Sequence, residues 1–261
     1  MCEPQEDYSD RGLSLVRVEQ QAFCLPKAGN SADDYEDAFY TPVTSLPRHR
    51  SHRFAIADGA TETSYSGLWA ELLVNAYGEG KIDDRLDAKD LDPLRQQWKA
   101  QVGGRPLAWY AEEKARLGAY SSLLGLRLFK DGPLLKWFAV AVGDSCVFQL
   151  RAGRLVTAFP LKHSADFTSR PALLSSNSGE GPLVRCSGRW KERDIFFLMT
   201  DALGCWFLRS IESEARPWEA LLDLRVDETG PRSFTQLVHD LRSTGQLRND
   251  DVTLLRIRSK G

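Results

Sequence analysis

Several carboxylates in this chain stand at the ends of apolar, strand-like runs, a placement suited to oxygen-donor metal chemistry. His52–Gly59 (HRFAIADG) puts Phe54 and Ile56 on one face of a predicted strand and Ala55 and Ala57 on the other, then meets Asp58-Gly59. Both faces are apolar, so the strand is expected to be central and covered on both sides. A carboxylate at the end of a buried strand, followed by a glycine that frees the turn, can hold a metal or reacting group rigidly. By itself Asp58 suits a plainer role equally well, as the cap of a helix whose first turn holds Thr61 to Ser66.

The same placement recurs. Asp201 follows Asp194–Thr200 (DIFFLMT), Asp250 precedes the closing run Val252–Ile257, Glu36-Asp37 borders a short strand from Ala38, and Gly143-Asp144 joins two strands. In antiparallel neighbours these positions can meet at one edge of the sheets. Crowded carboxylates repel one another, and hard divalent cations relieve the crowding. A set of oxygen ligands without His or Cys points to magnesium or manganese rather than zinc.

The elements that must position these groups follow from periodicity. Leu13–Leu25, Ala38–Val43 and His52–Ala57 read as strands, and Ser64–Tyr77 as an amphipathic helix. Gly78–Asp92 is charged and irregular; Pro93–Val102 and Pro106–Tyr120 read as helices opened by proline. Ser121–Lys130 with Leu134–Val142, and Asp144–Leu150 with Arg154–Phe159, make two hairpins. Pro160–Val184 is the longest stretch without regular structure, and a loop of that length is more often functional than idle. Ala202–Leu208 reads as a short helical turn, and Trp218–Leu224 and Ser233–Leu241 as helices. The order predicts an α+β fold, with two antiparallel sheets layered between helices, rather than a βαβ array.

Bulk properties agree with one domain over residues 1–261. Hydrophobic residues are 42% and charged residues 27% of 261, and the formal net charge is -2. Nucleic acid is therefore not expected as a partner. No apolar run is long enough to span a membrane and the amino terminus is acidic, so a cytoplasmic protein is expected. Five scattered cysteines lack CxxC spacing and read as reduced, small hydrophobes. Cys205 lies near Asp201, and acidic surroundings raise a thiol pKa, which makes it a poor nucleophile.

Taken in order, Glu36-Asp37-Ala38, Ala57-Asp58-Gly59, Val142-Gly143-Asp144-Ser145, Thr200-Asp201-Ala202-Leu203-Gly204 and Asp250-Asp251-Val252-Thr253 resemble the motif series of PP2C-type metal-dependent protein phosphatases. The resemblance runs from about Leu13 to Arg258. Ser121-Ser122 and His163-Ser164 resemble further family stretches. The resemblance implies a central β-sandwich flanked by helices with a binuclear Mn²⁺ or Mg²⁺ centre at one end. It implies that Asp58 bridges two ions, that Glu36 and the Gly59 carbonyl hold one, and that Asp201 and Asp250 hold the other. Asp144 with Asp201 would match a third, weaker ion position. Asp37 and Asp251 would lie behind the ligands, Asp37 orienting water by hydrogen bonds. Two ions about 3.5–4 Å apart would lower the pKa of a shared water, which attacks phosphorus without a protein nucleophile. The implied partners are a phosphorylated protein and a cognate serine/threonine kinase.

The sequence departs from the family in two places. Ala32 stands where the family has a phosphate-binding arginine, with Lys27, Arg48, Arg50 and Arg53 as possible substitutes. Gly59-Ala60-Thr61-Glu62 replaces the usual Gly-His-Gly or Gly-Met-Gly, so no histidine acid stands there. The 160–184 loop and His163 are the substrate-contact candidates. Two other readings stay open: a pseudophosphatase serving as a binding or regulatory module, and hydrolysis of a small phosphorylated metabolite. Retention of so many mutually repelling carboxylates argues against the first.

Overall fold

The computed structural model describes residues 17–42, 51–61, 65–103, 117–179, 181–225 and 230–260. The predicted start of the first strand before residue 17, the end of the second past residue 42, Arg48, Arg50, Glu62, and most of the predicted Pro106–Tyr120 helix lie outside them.

The strands alternate in the manner that a two-sheet sandwich requires. One sheet has the order β1 (Arg17–Leu25), β12 (Val252–Lys260), β11 (Ile195–Met199), β7 (Cys146–Arg151), β8 (Arg154–Phe159). The other has β10 (Val184–Arg189), β6 (Leu134–Val142), β5 (Leu123–Asp131), β3 (Ser51–Ala57), β2 (Ala38–Tyr40). A small pair, β4 (Tyr120–Ser121) and β9 (Leu174–Ser175), is antiparallel too, as are all these pairings.

Period-two alternation then decides what each face meets. Phe54 and Ile56 of β3 join Leu126, Phe196, Leu198, Leu255 and Ile257 between the sheets. Ala55 and Ala57 face outward under α1 (Ser66–Gly78), where Trp69, Leu73 and Tyr77 pack with Trp98 of α2 (Ala88–Gly103). Phe197 and Met199 face outward on the opposite sheet. They meet Leu203 and Phe207 of α3 (Asp201–Glu212), Leu221 of α4 (Pro217–Asp223) and Val238 of α5 (Gly230–Ser243). Helix, sheet, sheet, helix is the predicted α+β sandwich, and β3 is covered on both faces as expected.

Three local expectations need correction. Helix α2 starts at Ala88 and carries Pro93 inside it. Charge masks its first turn, but its buried stripe already begins at Leu91 and continues through Leu94, Trp98 and Val102. Helix α3 runs to Glu212, well beyond a single turn, because Trp206, Phe207 and Leu208 are all buried against the sheet. The Pro160–Val184 segment is less irregular than its composition suggests. It holds a 3₁₀ turn (Ser164–Asp166) and β9, whose Leu174 carbonyl accepts the Trp69 indole N–H at 2.9 Å.

Packing is tight enough to test at one glycine. A Cβ at Gly125 of β5 would lie 2.4 Å from Tyr77 Cζ. That ring cannot easily retreat, since its hydroxyl donates to Asp84 at 3.1 Å and the Arg53 guanidinium sits 5.0 Å from its centroid. Gly125→Ala should cost about 1–3 kcal/mol by overpacking, read as a lower denaturant midpoint at unchanged m-value.

Candidate metal centre

β3 delivers Asp58 and Gly59 to one end of the sandwich, where Ser121 of β4 and the Ser122 that follows it clamp the Asp58 backbone. Asp58 N–H donates to Ser122 Oγ at 2.9 Å, and its carbonyl accepts Ser122 N–H and the Ser121 hydroxyl, each at 2.9 Å. Ser122 Oγ in turn meets Ser145 Oγ at 2.9 Å. Gly59 donates its N–H to the Glu36 carbonyl at 3.2 Å, and a Cβ there would lie 2.8 Å from that oxygen, so only glycine fits. Asp58 is no helix cap: α1 begins at Ser66, preceded by Tyr65 in a left-handed conformation (φ 60°).

Asp144 arrives from the β6–β7 turn, where Gly143 takes φ +99°. Asp201 is the first residue of α3, its Oδ1 accepting the Ala202 N–H at 2.5 Å. Oxygens of Asp58, Asp144 and Asp201 all lie within 4.8 Å of one another. The charges of Asp37, Asp144, Asp201 and Asp250 all bear on Asp58. Burial, with those charges added, holds the Asp58 carboxyl well above its ordinary range. Burial and then Asp201 push Asp144 up to about 7. Asp201 is raised by burial as well, against the pull of Arg248.

Asp37 is buried behind them. Its Oδ2 accepts hydroxyl protons from Thr253 at 2.7 Å and Thr200 at 3.0 Å, while its Oδ1 has no hydrogen-bond partner among the described residues. Burial pushes its carboxyl well up, and Asp251 and Asp201 add to this against the two hydroxyls. Asp251 fastens the β1–β2 loop through the Lys27 and Glu36 N–H groups, both at 2.8 Å. The Glu36 carboxylate accepts the Ser66 hydroxyl at 2.5 Å and stands apart from the three clustered carboxylates. It lines a cleft of about 930 Å³ together with Asp33, Asp34, Asp37, Lys27 and Phe39.

An oxygen-only donor set, mutual repulsion, and a buried carboxylate oxygen without a donor all suit a hard divalent cation. The residues present therefore fit the implied group.

Sequence reasoning missed four contributors. Thr200 and Thr253 flank the acidic motifs and converge on Asp37, and Ser66 reaches Glu36. Arg248, two residues before Asp250, places Nη2 on Asp201 and 2.7 Å from Asp250 Oδ2. Burial works against its charge, but Asp201 and Asp250 outweigh that and raise its pKa. Its nearness to Asp250 in the chain was the available signal.

Other candidates lie elsewhere. His163 is exposed, its Nδ1 3.7 Å from Glu212. Arg53 stacks on Tyr77 near Asp84. Ala32 opens a 3₁₀ turn (Ala32–Asp34), and Lys27 lines the cleft. The Cys205 thiol is raised, by burial first, as its setting implied. No disulfide forms among the described residues, and none of their helices is long and apolar enough to cross a membrane.

The comparisons agree with this fold. A family model described as Protein phosphatase 2C matches residues 33–247, ending just before Asp250. No curated protein matches the chain. Among solved structures, serine/threonine phosphatase Stp1 from Staphylococcus aureus is 14% identical with a TM-score of 0.63, over 97% of this chain and 99% of that one. The Mycobacterium tuberculosis serine/threonine phosphatase PstP/Ppp is 18% identical with a TM-score of 0.58, over 94% and 99%. The PstP catalytic domain in complex with two manganese ions is 18% identical with a TM-score of 0.56, over 95% and 100%. With most of its length matched by the family model and its fold shared from end to end, this chain belongs to the protein phosphatase 2C family.

Proposed function

We propose that the chain forms one phosphatase domain that hydrolyses phosphoserine and phosphothreonine in proteins, giving the free hydroxyl and inorganic phosphate. The observation that carries this reading is the convergence of Asp58, Asp144 and Asp201, with Asp250 acting on them, at one end of the sandwich. Asp58 would be shared between two cations, one held with Glu36 and the Gly59 carbonyl, the other with Asp201 and Asp250; Asp144 with Asp201 would offer a third place. When bound, Mn²⁺ or Mg²⁺ neutralises phosphate oxygens and makes water nucleophilic near neutral pH.

The chain's own residues do the positioning. Ser121 and Ser122 fix the Asp58 backbone, which roots its carboxylate at the same end of the sandwich as Asp201. Thr200 and Thr253 hold one Asp37 oxygen, leaving Oδ1 to accept a hydrogen bond from water and aim that water. Asp251 holds the Glu36 backbone beside Gly59. Phosphoprotein substrates and a cognate kinase are the partners this chemistry needs. A binding-only module is the weaker reading, because buried, repelling carboxylates serve no scaffold.

The test is turnover of a phosphothreonine peptide. It should require added Mn²⁺ or Mg²⁺ and stop with chelator. Turnover that ignores chelator, or none with any divalent ion, would sink the proposal.

A further inference from the structure

Besides the cations that Asp58, Asp144, Asp201 and Asp250 would hold, a guanidinium beside these carboxylates can fix a phosphate dianion by charge-assisted hydrogen bonds. Arg248 stands there. Its side chain is 57% exposed, and a single nitrogen, Nη2, serves both Asp201 and Asp250. Its Nε and Nη1 take no partner among the described residues. A guanidinium has two two-donor edges, Nε with Nη2 and Nη1 with Nη2, and either matches two phosphate oxygens side by side once Nη2 is released.

Two other arginines are committed elsewhere. Arg242 donates to the Pro26 carbonyl at 3.1 Å and the Asp250 carbonyl at 2.5 Å, and Arg53 is held by Tyr77 and Asp84. Arg248 alone, among these, combines contact with the carboxylates, exposure and unpartnered donors. Asp201 and Asp250 are also the carboxylates that would hold a divalent cation on that reading, so guanidinium and cation would compete for them.

Resting on the phosphatase reading, we propose that Arg248 is the arm that holds the substrate phosphate: it rests on Asp201 and Asp250, yields them to a divalent cation, and grips the phosphate with the fork that Nη2 then completes. The exposed side chain is free on its solvent side.

Calorimetry on the whole protein tests both halves. With the competitor gone, R248A should bind Mn²⁺ several-fold more tightly. Inorganic phosphate titrated into the Mn²⁺-loaded protein should bind about tenfold more weakly, the scale of one lost charge-assisted contact. KM for a phosphothreonine peptide should rise about tenfold while kcat changes less. R248K, which keeps the charge without the fork, should recover part of the phosphate affinity, and it serves as the test variant if R248A does not melt cooperatively. Unchanged phosphate affinity and KM in R248A would overturn the proposal, and so would weaker Mn²⁺ binding. Failure of the phosphatase reading looks different: the wild-type protein would lack turnover while the Mn²⁺ and phosphate shifts in R248A persisted.

Discussion

Asp58→Asn should sharply reduce phosphatase turnover, weaken Mn²⁺ binding, and at the same time raise the melting temperature measured in chelator. The first two effects follow from its place at the centre of the cluster, where an amide carries no charge for a cation. If the cations supply about 4 kcal/mol of charge stabilisation in the transition state, kcat/KM should fall on the order of 10³-fold. The third effect follows from electrostatics in the folded protein. Asp58 feels Asp37, Asp144, Asp201 and Asp250 together, and burial already holds its carboxyl well above the usual range. An isosteric neutral amide removes that repulsion while Ser121 and Ser122 still hold the backbone. A variant that loses activity and also melts lower in chelator would mean that Asp58 serves the fold and not a cation.

The second large effect concerns pH. Asp144 is raised from 3.8 to about 7, and Asp37 and Asp58 are raised as well. Between about pH 4 and pH 7 the folded chain therefore binds more protons at these groups than the unfolded chain. Stability tied to them is fully present below their unfolded pKa and is lost as pH rises through the folded values. For Asp144 alone the displacement corresponds to the order of 4 kcal/mol. In chelator, the melting temperature should fall by roughly 10 °C from pH 5 to pH 8. Saturating Mn²⁺ should reverse the trend, because cations bind the deprotonated carboxylates and stabilise only the folded state. A chelated protein that gains stability toward pH 8 would show that these groups ionise without strain. Asp58→Asn should flatten the chelated profile in part.

Much of this protein was legible in its residues. Alternation in HRFAIADG required a strand covered on both faces, and the sandwich interior and α1 cover it. The carboxylates that converge are ones the strand ends had marked, because an acidic residue next to an apolar run is a local pattern. Local patterns failed where charge and burial mix. In α2, Ala88-Lys89-Asp90 hid the first turn of a helix whose buried stripe begins at Leu91. In the 160–184 segment, prolines and glycines hid β9, whose partner β4 lies far away in sequence.

By itself, then, the sequence determined the sandwich, its helical layers and the acidic motifs, since each rests on periodicity within a few residues. Only the tertiary structure decided which groups face one another. Thr200 reaches Asp37 across 163 positions and Thr253 across 216: the pairing of β11 with β12 sets the two threonines side by side in one sheet, and Asp37 comes from beside β2 of the other. Arg248 is close to Asp250 in the chain but 47 residues from Asp201, and the start of α3 must meet the β12 entry before one guanidinium can serve both. Such pairings cost loop-closure entropy that no local pattern records, so they become visible only once the chain has closed.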